Sequence, residues 1–209
     1  MPGFTATSAW PRPLEFGLRL MVVCAVLFWM THRYGRAFVD LLLPLFRQTI
    51  AALDDHYTIL SLATGMEGPD TVVRLRVNLA RPIVIAGHLT MPDPRGWLAV
   101  TTTIGTVLQP MLVALGLVLA YPAQRFYEWI ARLPVVTVLL AAVLLLDTPF
   151  TLWAYLWDMH VQAFDPDAFS PLLLWQKFLV AGGRLALGLL VAVLTFWTAA
   201  RIVRRTAAQ

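Results

Sequence analysis

Two apolar runs, residues 133–157 and 172–199, each carry a charge deep inside a stretch that otherwise suits lipid. Each run exceeds the roughly 20 helical residues that cross a hydrocarbon core of about 30 Å. Asp147 lies in LLLDTPF and Arg184 in AGGRLAL. A charge in lipid needs a partner, a wet cavity or a neutralising proton. If the runs form an antiparallel hairpin around the acidic connection 158–170, the two charges lie at similar depths of roughly 15–18 Å. The sequence therefore predicts an Asp147–Arg184 ion pair near mid-membrane, with Ala181, Gly182 and Gly183 allowing close helix approach.

Composition agrees with a membrane setting. Apolar residues make up 59% of the 209 and charged residues 13%, against about 25% charged in soluble domains. Mean hydropathy is +0.70, and the excess lies in long runs rather than a scattered core. Net charge is +4, with Lys177 the one lysine among arginines. These charges gather at helix ends, and no basic aromatic face or reader motif is present, so nucleic acid is not an expected partner. The single cysteine, Cys24, leaves no internal disulfide and no CxxC metal or redox site.

The first 13 residues are short, polar and proline-broken, which predicts loose order. The first apolar segment, 14–30, extends through 31–34, with Arg12 and Arg19 before or at its opening. No small-x-small cleavage site follows, so it reads as an uncleaved anchor. Residues 35–53 alternate charges with apolar groups and contain Pro44, predicting an amphipathic helix that either lies along the outer interface or packs on the domain that follows. Between residues 54 and 94 the period changes. YTILSLA and TVVRLRVNL read as strands around the turn GMEGPD, with Val73, Leu75, Val77 and Leu79 on the inner face, and IVIAGHLT as a third strand. Residues 96–121 read as a spanning helix with a polar first half. Thr102, Thr106 and Gln109 make a candidate polar helix face there, ahead of Pro110.

The expected fold class is mainly α: a polytopic membrane protein with four transmembrane helices and a small extracytoplasmic β-containing insertion. Its parts are 1–34, the N-terminal segment and first span; 35–95, the amphipathic helix and strands; and 96–209, a three-helix membrane region. Arg125 and Arg132 in one connector and Arg201, Arg204 and Arg205 in the tail contrast with Asp158, Asp165 and Asp167 in another. The positive-inside rule then places both termini in the cytoplasm of a bacterial inner membrane.

Chemical machinery is sparse. His32, His56, His88 and His160 all fall on the expected outer side, but no pair has helix-face ligand spacing. Asp158, His160, Asp165 and Asp167 read as a solvated acidic loop. No GxSxG or HExxH motif occurs, and Cys24 lies within a span, away from every histidine. No catalytic residue, metal site or cofactor is assigned.

The order of parts resembles the small membrane proteins encoded beside bacterial exosortases, especially the exosortase H-associated type. The stretches that carry the likeness are RAFVDLLLPLFRQTI, VVRLRVNLARPIVI and LPVVTVLLAAVLLLDTPFTLWAYLWDMHVQAF. It covers most of the chain in layout and rests on no diagnostic motif. The resemblance implies an accessory rather than a peptidase. The expected function is a non-catalytic accessory or assembly subunit, with the lipid bilayer and a membrane-protein partner or a second copy around it. The competing class is a small channel or transporter subunit using the Thr-rich helix and the Asp147–Arg184 pair.

Overall fold

The computed structural model describes residues 13–85, 87–123 and 126–206. The proline-rich start, Arg125 and the last three residues lie outside these. In chain order the elements are α1 (Pro13–Leu53), β1 (Tyr57–Glu67), β2 (Asp70–Leu79), β3 (Ile83–Ile85), β4 (His88–Thr90), β5 (Leu98–Thr103), α2 (Ile104–Ala120), α3 (Phe126–Phe164), α4 (Pro171–Phe178), a π-helical turn Leu179–Gly183, and α5 (Arg184–Thr206). The fold is mainly helical. Three helical stretches, Pro13–Leu53, Tyr127–Phe164 and Pro171–Arg204, are long and apolar enough to cross a membrane; Ile104–Ala120 is apolar but shorter.

Three boundaries before α3 differ from the sequence expectation. Residues 35–53 are not a separate helix lying flat: α1 runs unbroken through 41 residues. Gly35 stays helical because it is a contact point, where a Cβ would lie 3.2 Å from Leu108 Cδ1. Pro44 removes one amide donor but sits on the exposed side of the helix, so the freed Asp40 carbonyl is not sealed against the sheet. Second, IVIAGHLT is not the third strand of the sheet. It folds on itself as the β3–β4 hairpin around Gly87, whose φ of 82° suits glycine. Third, the polar half of the expected second span is β5, and α2 begins only at Ile104. Three consecutive β-branched threonines fit a pleated strand better than a helix interior.

The sheet is antiparallel in the order β1-β2-β5. Its inner rows are Ile59–Val77–Leu98, Leu62–Leu75–Val100 and Thr64–Val73–Thr102, and Val73, Leu75 and Val77 are fully buried. Leu79 is only partly buried. This face packs on Val39, Phe46 and Ile50 of α1 and on Leu152 and Leu156 of α3. A second cluster, formed by Ala114, Val118, Val136, Leu140, Val191 and Ala192, joins α2, α3 and α5. The upper half of α1 thus belongs to the sheet. Its lower half is thinly packed, with 6% of its apolar window buried against 28% and 39% in the other two long stretches.

The last apolar run, read as one helix over 172–199, is broken. Gly182 has φ 112° inside the π turn, a conformation that L side chains rarely adopt. A Cβ on Gly183 would lie 2.6 Å from the Phe178 carbonyl oxygen. The two glycines are thus required by the kink rather than by helix approach: nothing lies within 4 Å of a Cβ on Gly182, the nearest atoms at Gly183 belong to Phe178, and Ala181 is exposed. At the opposite turn, α3 continues through Asp158 to Phe164, so the true connection to α4 is short.

Candidate functional site

The kink leaves Arg184 as the first residue of α5, directed at α3. Its Nε donates to Asp147 Oδ2 at 2.9 Å and Oδ1 at 3.1 Å, and its Nη2 donates to Thr151 Oγ1 at 3.0 Å. Thr151 in turn donates to Asp147 Oδ1 at 3.1 Å. Asp147 and Thr151 are fully buried and Arg184 is 4% exposed. The three groups close a triangle in which the carboxylate neutralises the guanidinium and the hydroxyl bridges them. In a low-dielectric interior such geometry offsets the cost of taking two charges out of water.

Asp147, Thr148 and Thr151 lie on one side of α3 by helical spacing. Thr148 is 2% exposed, and its hydroxyl finds no hydrogen-bond partner among the described residues. Pro149, one position on, frees the Leu145 carbonyl of its helical donor.

The level of the pair within the bundle follows from the helices beside it. Phe196 packs on Tyr121, at the far end of α2. Arg184 precedes Phe196 by twelve helical positions, about 18 Å. Asp147 follows Arg132, which also sits at Tyr121, by fifteen positions, about 22 Å. The Gly188 backbone meets Pro110 and Val113, which puts Arg184 about one turn below the start of α2. The pair therefore lies just beneath the sheet. Because α3 runs on to Phe164, Asp147 lies seventeen positions from the end of its helix rather than the ten that the apolar run suggested.

Thr102, Thr106 and Gln109 do not form one helix face. Thr102 is on β5, buried in the inner row with Val73. Thr106 is in the first turn of α2, where its backbone N–H donates to the Thr103 hydroxyl that caps the helix and the two hydroxyls lie 2.7 Å apart. Gln109 is half-buried further along. The polar groups of this stretch serve a strand-to-helix junction.

The histidines do not converge. His32 is exposed on α1, and His88 stacks on Phe164. His160 Nδ1 is 2.9 Å from the Leu156 carbonyl and 3.3 Å from the Tyr57 hydroxyl. Burial, with the nearby Asp54 carboxylate adding to it, pushes the Tyr57 phenol well above its usual range. Asp54, Asp55 and His56 bring possible ligand atoms within 4.8 Å of one another. Their oxygens are already engaged: Asp54 accepts from the Trp153 indole and pairs with His56, and Asp55 pairs with Arg81. Asp158 accepts from Gln162 and lies on α3 rather than in a loop.

Sequence reasoning missed a second buried cation. Arg132, read from the sequence only as a connector charge, is 6% exposed. Its guanidinium lies 5.2–5.8 Å from the rings of Tyr121, Trp129 and Phe196, and it donates to the Tyr121 carbonyl and to Glu128. The Glu128–Arg132 spacing of four was readable; the ring from Phe196, on another helix, was not. Cys24 packs where α1 crosses Gly116 of α2. No protein-family model matches the chain, and neither a curated protein nor a solved structure does.

Proposed function

We propose that this chain is a non-catalytic accessory subunit of a bacterial-type inner membrane, holding a membrane-protein partner in protein sorting, export or envelope assembly. The observation that carries the reading is the free side of α1. Tyr34, Phe38, Leu41 and Leu45 follow a 4-3-4 spacing and are 54%, 37%, 76% and 41% exposed, while the other side of the same stretch is sealed on the sheet. Lipid suits the exposed Leu18, Met21 and Val22 lower down. A 41-residue helix is about 60 Å long, twice the hydrocarbon core, so the upper stripe rises past it. An apolar stripe at that spacing is the face that a second helix covers.

In this reading α2 is the fourth crossing, running about 25 Å from the sheet to the Tyr121 layer beside α1. The sheet is outside and both termini are cytoplasmic, since Arg201 and Arg204 gather at the Arg132 end. The commitment of Arg184 to Asp147 and Thr151 supports a structural role over conduction. The layout's likeness to exosortase-associated membrane proteins supports a sorting partner. A photo-crosslinker at Leu41, followed by purification from native membranes, is expected to trap one stoichiometric partner helix. Solute flux through the purified chain in liposomes, with no crosslink, would favour the channel reading instead. Single cysteines at Gly68, Gln124 and Asp165, in a Cys24→Ser background, test the topology with an impermeant thiol reagent. Labelling at Gln124 and none at Asp165 would invert it.

A further inference from the structure

Where α3 gives way to α4 the chain encloses a half-open cleft of about 500 Å³, lined by the end of α3, residues 166–170 and α4. That size falls within the range of roughly 300–1,000 Å³ typical of small-ligand sites. Both signs of charge face it. Lys177 stands in the last turn of α4, and Asp158 and Asp167 stand on the other walls. Among the described residues neither Lys177 nor Asp167 makes an ion pair or side-chain hydrogen bond, and Asp158 accepts one from Gln162. A cation and two carboxylates that share a cleft without neutralising one another match a ligand carrying both charges.

Depth narrows the class of ligand. Lys177 lies on α4, across the Gly182 kink from Arg184, while Arg184 stands about 18 Å from Phe196 along α5. α4 opens the apolar stretch Pro171–Arg204, so Lys177 stands toward the end of that stretch opposite Arg204. Leu174 and Phe169, 58% and 82% exposed, flank the cleft at the same end. An amphiphile seated there has apolar surface for its chains and charge for its head.

We propose that this cleft binds the zwitterionic headgroup of an aminophospholipid, with the phosphate on Lys177 and the ammonium between Asp158 and Asp167. The site is independent of the partner on α1, so loss of either reading leaves the other standing. Its chemistry distinguishes it from a general basic surface: an anionic lipid of the same chain length satisfies Lys177 and repels the two carboxylates.

The test is native mass spectrometry of the full chain in detergent, titrated with phosphatidylethanolamine, with phosphatidylglycerol of identical chains and with soluble phosphoethanolamine. Phosphatidylethanolamine is expected to bind about tenfold more tightly than phosphatidylglycerol, the fold-change that one charge-assisted hydrogen bond supplies. Lys177→Glu, and the milder Lys177→Gln, are expected to remove most of that binding. Asp158→Asn with Asp167→Asn is expected to erase the preference while leaving phosphatidylglycerol bound. These are rim positions, and an unchanged circular dichroism spectrum is the check on folding. Equal binding of both lipids by the unmodified chain, or a preference that survives all these variants, would overturn the site. Competition by phosphoethanolamine as strong as that by the whole lipid would overturn the lipid assignment in favour of a soluble ligand.

Discussion

Arg184 and Arg132 are both buried arginines at the ends of one helical bundle, and they are kept there by different physics. Arg184 lies beneath the sheet and is met by a carboxylate from another helix, 37 positions away in sequence. Arg132 lies at the opposite end and is met by its own helix's Glu128, a backbone carbonyl and three aromatic rings. The first solution neutralises a charge in place and demands a kinked backbone. The second spreads a charge over ring faces at a level where water is within reach, since Glu128 is 22% exposed. Depth decides between them: a fully dry cation requires an anion, whereas one at the edge can be held by rings and a half-wet carboxylate.

The largest expected effect comes from breaking the dry end. Asp147→Asn or Arg184→Gln leaves one buried charge unpaired, an expected loss of about 3–5 kcal/mol each. The double variant is expected to recover a large part of it, read as folded fraction and thermal midpoint in detergent. Strictly additive losses would mean that the two side chains do not depend on each other, and the contrast with Arg132 would lose its basis.

How much of this was legible follows from the same residues. Asp147 and Arg184 stood out because each interrupts an apolar run, and equal spacing from a shared turn pointed them at one another. The distance of Asp147 from the connection was underestimated because α3 continues seven residues past Trp157 to Phe164, and helix continuation through polar groups leaves no mark in hydropathy. The junction at Thr103–Ile104 was hidden because a buried strand and a spanning helix are both apolar runs when read in one dimension. Its clues were local: the run Thr101–Thr103 and a capping threonine three positions before Thr106. α1 was divided at Gly35 because glycine and charges usually mark an end. The Leu108 contact that makes glycine necessary there is visible only in three dimensions. The second strand of the first hairpin was readable from alternation, since Val73, Leu75 and Val77 share a face by pleat, whereas the first strand continues through Gly65–Glu67, which glycine content marked as turn.

The backbone at the dry end offers the next test. Gly183→Ala drives a methyl group into the Phe178 carbonyl, and overpacking of this kind costs about 1–3 kcal/mol. Because the kink aims Arg184, the loss should shrink when Gly183→Ala is added to the Asp147→Asn, Arg184→Gln double variant. Equal losses in both backgrounds would separate the kink from the ion pair. Gly188→Ala, beside Pro110 and Val113, is the control for tight packing without the kink and should cost the same in either background.

The wet end should answer more gently. Arg132→Gln removes the guanidinium from three rings, with an expected loss of about 1–2 kcal/mol, below that of Arg184→Gln because Glu128 is left near water. Arg132→Lys should recover only part of it, since an ammonium keeps the charge but loses the planar stacking and the fork that reaches both the Tyr121 carbonyl and Glu128. A loss as large as that for Arg184 would show that Arg132 is as dry as its counterpart.

The smallest expected effect is also the sharpest discriminator. Glu128→Gln keeps a hydrogen-bond acceptor for Arg132 and removes the formal charge. If the rings hold the cation, the loss should be about 0.5–1 kcal/mol, the scale of a partly exposed pair on one helix. Added salt should narrow the difference between variant and parent, because partly exposed pairs are screened. The equivalent change at the other end, Asp147→Asn, also keeps an acceptor and removes the charge. There the deficit should be several times larger and insensitive to salt, because ions do not reach a fully buried carboxylate. Two isosteric carboxylate-to-amide changes, compared at low and high salt, therefore separate neutralisation by an anion from retention by aromatic faces. If both respond alike, the two arginines are held by one mechanism.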